Sequence, residues 1–347
     1  MNPNIAYFMD EKGQLVKALN SPDYKYLFNT NTGYFMRWGK TQSDDPQFSP
    51  FGPELLDIEV STSCHGGCTF CYKSNTPNGH NMSFDTFKSI LDKVPETLTQ
   101  IAFGIGDIDA NPDLWKMMKY ARGRMVASNM TINGQRMTPQ YYDLIASNCG
   151  ATAVSLYDPD TCYNAVKELS DRGLRQTNIH CLLSEENYDK CKQALVDMKT
   201  DPRLENLNAL VFLWLKPRGE RNTCHQLSSL DKLKSLVDYA FDNELRIGFD
   251  SCSSPYFLKT IKDRDNYKRI ETLVEPCEST LFSYYINVDG TGYPCSFNET
   301  PGNGTDTVNC EDFMKDVWMA PETIKFRERL LARKRACPTY HLDPVPV

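Results

Sequence analysis

Between residues 55 and 245, short β-rich runs and amphipathic helical patterns alternate in six successive β-α units with no long structureless gap. That order leaves a parallel α/β architecture as the expected fold, because parallel neighbours need a crossover and helices are the economical crossover. The first run is Leu55-Leu56-Asp57-Ile58-Glu59-Val60, and further strands are expected at 100–105, 125–132, 151–157, 177–183 and 208–215. Helices are expected at 112–121, 139–147, 161–172, 185–198 and 230–242. The helix after the first run has Ser83 as its N-cap and places Phe84, Phe87, Ile90, Leu91 and Val94 on one face. Periodicity does not distinguish an open sheet from a closed one. In either, ligands bind at the carboxyl ends of the strands.

The flanks divide the chain into three parts. Residues 1–50 form a preface in which 24–38 alternate apolar residues around an Asn-Thr-Gly turn, predicting a hairpin. Its exposed strand edge suits either β-addition of an extended leader peptide or simple capping of the main domain. Residues 51–245 hold the β-α units. Residues 246–347 open within a strand-like run over 245–250 and then become irregular and cysteine-rich, with a basic helix at 321–335 whose charges read as a solvated face and a proline-containing tail over the last ten residues.

Charge and hydropathy exclude several functions. The 38 Lys and Arg against 45 Asp and Glu give a net charge of −7, which argues against long nucleic acids and anionic membranes as partners. The longest apolar runs, such as that around 210–215, fall far short of the roughly 20 residues a membrane-spanning helix needs. The first residues show neither a cationic nor an apolar signal region, so a cytoplasmic location is expected.

Thirteen cysteines are many for such a chain, and in a reducing compartment metal coordination is a better reading than disulfides. Three crowd into Cys64-His65-Gly66-Gly67-Cys68-Thr69-Phe70-Cys71, directly after the first strand. Three is informative: a structural zinc wants four closed ligands, whereas three thiolates on an iron-sulfur cluster leave one iron open. A zinc site borrowing His65, His80 or a remote cysteine is the alternative. Cys149, Cys162, Cys181, Cys191 and Cys224 stand singly and read as small buried hydrophobes or surface thiols.

The C-x3-C-x2-C spacing, with Phe70 before the third cysteine, resembles the signature of the radical SAM superfamily. The resemblance implies a partial (β/α)6 barrel, a [4Fe-4S] cluster on Cys64, Cys68 and Cys71, and S-adenosylmethionine chelating the open iron. Reductive cleavage would then yield a 5′-deoxyadenosyl radical that abstracts hydrogen from substrate. It also implies a reductant such as flavodoxin or ferredoxin. Where the family usually shows Gly-Gly-Glu, this chain has Gly104-Ile105-Gly106-Asp107, which implies contacts from Gly104, Gly106 and Asp107 to the methionyl ammonium. Thr131-Ile132-Asn133-Gly134 resembles a third-strand segment of the family, and Ser155 matches a fourth-strand serine that touches the cosubstrate. His180 is either a barrel-lining or a core residue.

In the C-terminal part, Gly290-Thr291-Gly292-Tyr293-Pro294-Cys295, with Cys277 before it and Cys337 after, resembles the SPASM and twitch extensions of that superfamily. Tyr340 stands where a full SPASM array would carry another cysteine, so the resemblance implies one auxiliary [4Fe-4S] cluster. Its ligands would be Cys252, Cys277, Cys295 and Cys337, with Cys310 the rival for the place of Cys252 and zinc the rival metal. The expected function is modification of a peptide or protein side chain. A twitch-type dehydrogenase or modification enzyme for a small molecule or nucleotide is the second reading, and a non-catalytic zinc module the third. Ser296 and Phe297 follow Cys295 where sulfatase maturases carry an Asp base, which weakens that activity. Asp250 and Asp107 are the alternative bases.

Overall fold

In the computed structural model, which describes residues 3–300 and 302–340, the β-α alternation forms one large sheet. The 341–347 part of the expected tail lies outside the described residues. The preface is a four-stranded antiparallel sheet in the order β1 (Asn4–Met9), β2 (Leu15–Asn20), β3 (Lys25–Asn29), β4 (Phe35–Trp38). The expected hairpin is its β3–β4 pair.

The main strands are β5 (Leu55–Glu59), β6 (Gln100–Gly104), β7 (Ala127–Ile132), β8 (Cys149–Ser155), β9 (Thr177–Leu183), β10 (Ala209–Trp214) and β11 (Ile247–Phe249), paired parallel in sequence order. Between them run α1 (Phe84–Lys93), α2 (Leu114–Gly123), α3 (Pro139–Asn148), α4 (Pro159–Asp171), α5 (Tyr188–Thr200) and α6 (Leu230–Asp242). The strands and helices fall within a few residues of their expected places. The Ser83 hydroxyl caps α1 by accepting from Thr86 N at 3.1 Å, and Phe87, Ile90 and Leu91 bury the predicted face.

Alternate residues of β5 to β10 line a single cavity: Asp57 and Glu59, Ala102 and Gly104, Asn129 and Thr131, Ala153 and Ser155, Asn178 and His180, and Leu213. The sheet therefore wraps around that space. Intervening residues such as Ile58, Ile101, Val154, Ile179 and Leu210 are fully buried against the helices in one continuous core. Beyond β5 the sheet continues with β12 (Ser283–Ile286), parallel to β5, then β13 (Thr291–Tyr293) and β14 (Thr305–Asp306), both antiparallel. The cysteine-rich region is thus stitched onto the strand that carries the cysteine loop.

The α-helices of this region are α7 (Ser254–Ile261), α8 (Tyr267–Glu271) and α9 (Pro321–Ala332), with a π-helical turn at Met314–Trp318 before α9. The reading of α9 as a solvated basic face is corrected at Arg327, which is 5% exposed. It donates to Thr280 O at 2.7 Å and Trp318 O at 3.0 Å, so its charge satisfies two buried carbonyls. The preface sheet rests at the amino ends of β5 and β6. Lys17 donates to Leu98 O and Tyr26 to Thr97 O, each at 2.6 Å, and the Tyr24 hydroxyl donates to Glu54. That is the end opposite the cysteine loop, so this sheet floors the barrel. No helix among the described residues is long and apolar enough to cross a membrane.

Candidate active site

The carboxyl ends of β5 to β10 open into a cavity of about 670 Å³. Cys64, Cys68 and Cys71 lie on its wall, brought there by the loop that leaves β5, with Phe70 between them. The Phe70 ring packs on Tyr157 at a centroid distance of 5.2 Å. Gly66 is pinched between two sulfurs: a Cβ there would stand 3.4 Å from Cys64 Sγ and 3.5 Å from Cys68 Sγ. Its N–H donates to Cys64 Sγ at 3.3 Å, the kind of bond that stabilises a ligating thiolate. Burial pushes the Cys64 and Cys68 thiols up from their ordinary values, and the neighbouring cysteines add to the shift. Three thiols gathered at one cavity wall fit a cationic metal centre that would hold them as thiolates.

The Gly104–Asp107 segment forms the adjoining wall. Gly106 is required by close approach, since a Cβ would lie 2.5 Å from Cys64 Cβ and 2.9 Å from its sulfur. A Cβ on Gly104 would lie 3.3 Å from Glu59 Cα. Asp107 has a different place from its neighbours: it is 1% exposed and is not among the cavity-lining residues. Its carboxylate accepts from His65 N at 2.8 Å and Asn133 Nδ2 at 3.1 Å, and His65 Nδ1 lies at 2.8 Å. Although burial works against the charge, these hydrogen bonds hold Asp107 below the usual carboxylate range. Ser155, Thr131, Asn133 and His180 all line the cavity. Burial depresses His180 to about 4, so its ring is neutral.

A second loop, following β10, clasps the cysteine segment, and its Arg221 lines the same cavity. Arg221 donates to Asn75 O at 2.7 Å, and Glu220 N donates to Ser74 Oγ at 2.8 Å. Gly219, at φ +102°, touches the Cys71 carbonyl so closely that a Cβ has no room. Nothing in the sequence linked this loop to the cysteines.

The C-terminal cysteines form a second group. Cys252, Cys277, Cys295 and Cys337 are mutual electrostatic neighbours in all six pairings. Burial, reinforced by these neighbours, pushes Cys277 and Cys295 up to about 12. Cys310 lies apart, beside Lys93, Asp306 and Asp316. Among the described residues no three His, Cys, Asp or Glu side chains are set closely enough to hold a single metal ion. Tyr72 joins the two cysteine regions by packing on Phe297, ring centroids 4.4 Å apart, and the Tyr340 hydroxyl donates to Phe297 O at 3.0 Å.

The barrel interior also holds a charged network that sequence reading missed. Lys73 lies 3.2 Å from Glu59, pairs with Glu299 and donates to the Tyr285 hydroxyl at 2.8 Å. Lys216 pairs with Asp250, so Asp250 is not a free base in this structure. The only sequence clue was alternation: Asp57 and Glu59 fall on the same side of a strand, and nothing local says that side faces inward.

Residues 58–198 match the family model described as the Radical SAM superfamily. Among solved structures, the chain resembles Streptococcus suis SuiB bound to S-adenosylmethionine, with 16% identity and a TM-score of 0.63 over 80% of this chain and 68% of that one. It resembles SuiB bound to the precursor peptide SuiA, with 13% identity and a TM-score of 0.65 over 88% and 90%. It also resembles polyhistidine-tagged anSMEcpe with bound AdoMet, with 17% identity and a TM-score of 0.58 over 79% and 80%. At these identities the likeness is one of fold. No curated protein matches the sequence.

Proposed function

From the premise that the chain carries a radical SAM domain over residues 58–198, we propose that it is a peptide- or protein-modifying enzyme of that superfamily. Cys64, Cys68 and Cys71 would hold a [4Fe-4S] cluster, and S-adenosylmethionine would lie along Gly104, Gly106 and Ser155. When bound, the pair supplies reductive cleavage of the sulfonium and a 5′-deoxyadenosyl radical that takes a hydrogen atom from substrate. The observation that carries this reading is the convergence of the three thiols, the Gly104–Gly106 wall and Ser155 on one cavity.

The chain's own residues position and enclose. Asp107 and Asn133 fasten the cysteine loop through His65, the loop at 219–221 clamps it through Ser74 and Asn75, and Phe70 packs on Tyr157 at the cavity wall. Cys252, Cys277, Cys295 and Cys337 would hold one auxiliary [4Fe-4S] cluster in a twitch-like extension. Peptide as the substrate class is supported by the neighbour bound to a precursor peptide. The test is anaerobic reconstitution followed by reductant and S-adenosylmethionine. A brown protein absorbing near about 400 nm that forms 5′-deoxyadenosine supports the enzyme. A colourless, zinc-loaded protein that leaves S-adenosylmethionine intact removes it in favour of a zinc module.

A further inference from the structure

Asp57 sits on the inner face of β5, in register with Ala102 of β6 and Tyr285 of β12, and lines the cavity. Among the described residues none donates a hydrogen bond to it. That is unusual for a carboxyl group inside a barrel, where a desolvated acid needs a donor or a cation.

The surrounding charges sharpen the point. Glu59 and Glu299 are its carboxylate neighbours, Lys73 its cationic one, and the Cys295 thiol also lies within its electrostatic reach. Lys73 is already engaged with both glutamates, and Arg218, 3.7 Å from Glu299, is the next cation. Three carboxylates therefore face two cations, both committed elsewhere, and the local set is one positive charge short. The Tyr285 hydroxyl is likewise occupied, 3.2 Å from Glu59 and 3.1 Å from Glu299. Burial first, then Glu59, pushes Asp57 up to about 7. Space is available as well: β6 contributes only Ala102 beside Asp57, and β8, two strands further on, contributes Ala151 and Ala153 to the cavity wall.

We propose that Asp57 selects the substrate, docking an ammonium or guanidinium head group that supplies the missing positive charge. The inference rests on reading the cavity as the active site of a radical SAM enzyme, and it adds the class of side chain that enters: a basic one. The neutral walls hold the aliphatic stem while Asp57 holds the charge.

The test uses the anaerobically reconstituted protein saturated with S-adenosylmethionine. The probes are the acetylated methylamides of lysine, arginine and norleucine, the last matching the lysine stem without its charge. Dissociation constants are read by ligand-observed NMR for wild type, Asp57→Asn and Asp57→Glu, with iron content confirming that each variant has folded. The wild type should bind a cationic probe about tenfold or more tighter than norleucine, the size of a charge-assisted hydrogen bond. Asp57→Asn should bring the ratio to within about twofold, and Asp57→Glu should keep part of it. A wild type without this preference, or an Asp57→Asn protein that retains it, overturns the proposal. If Asp57→Asn loses its iron, the wild-type ratio and the Asp57→Glu ratio decide. Binding of S-adenosylmethionine in the same samples separates the two readings: bound cosubstrate without cation preference sinks the role of Asp57 alone, and absence of cosubstrate binding sinks both.

Discussion

One carboxylate oxygen of Asp107, Oδ2, receives the backbone N–H of His65 and faces that residue's ring Nδ1, both at 2.8 Å. The residue one position after the first cysteine is thereby tied to the end of the second barrel strand. An aspartate has the shorter arm of the two acids, and here it reaches the loop rather than the cavity. Removing it takes the charged acceptor from a part-buried N–H, an interaction of about 1.5–3 kcal/mol. Asp107→Ala should therefore lower iron content after reconstitution and slow cluster assembly. Asp107→Asn, which retains an acceptor for the His65 N–H, should lose much less. Equal iron loading in Asp107→Ala and wild type would show that the tie does not organise the loop.

Gly106 permits the approach of that strand end to Cys64. Gly106→Ala puts a methyl group 2.5 Å from Cys64 Cβ, against backbone-anchored atoms that have little freedom to retreat. The variant should remain folded by circular dichroism and yet fail to load the first cluster. Gly104→Ala, with its nearest contact at 3.3 Å, should load iron and show the milder defect, a weakened affinity for S-adenosylmethionine.

The second thiol group predicts an asymmetry between two cysteines. Cys252→Ala should lose about four irons per chain, the content of one [4Fe-4S] cluster, while Cys310→Ala should lose none. Iron and acid-labile sulfide assays read the difference directly. Loss of iron from Cys310→Ala with retention in Cys252→Ala would reverse the assignment.

How much of this was legible in advance differs by region. The β-α order and the cysteine loop were, because hydrophobic periodicity and a dense local motif are properties of neighbouring residues. Asp57 was not: on sequence it is one polar residue in an alternating strand, and its significance comes from Lys73, Glu299 and Tyr285, which the fold brings from as far as 242 positions away. The clamp at Gly219 to Arg221 was invisible for the same reason. Arg327 was misread because a helix rich in Arg and Lys gives no sign of which charge turns inward.

Two cavity residues should act on stability in opposite directions as the pH changes. Burial depresses His180 to about 4 from an unfolded value of 6.5, so the stability tied to its neutral ring is fully present above 6.5 and is lost as the pH falls towards 4. Burial raises Asp57 to about 7 from 3.8, so the stability tied to its protonated form is fully present below 3.8 and is lost as the pH rises through 7. Between about 4 and 6.5 the two slopes oppose each other. Asp57→Asn should therefore tilt the melting temperature of the reconstituted protein upward with pH across that window relative to wild type, while Glu54, also raised by burial to about 7, keeps its own falling slope. His180→Gln should steepen the fall of melting temperature with pH that Asp57 and Glu54 share. A profile unchanged by Asp57→Asn would contradict the buried-acid assignment.

The central claim is that Cys64, Cys68 and Cys71 hold a redox-active cluster that the rest of the chain serves. Iron, sulfide and 5′-deoxyadenosine should be measured under reductant for wild type and for the variant with all three residues changed to alanine. About eight irons in the wild type and four in the variant, with nucleoside formed by the wild type alone, is the predicted result. Zinc in place of iron, or nucleoside formation that survives the triple substitution, would contradict it.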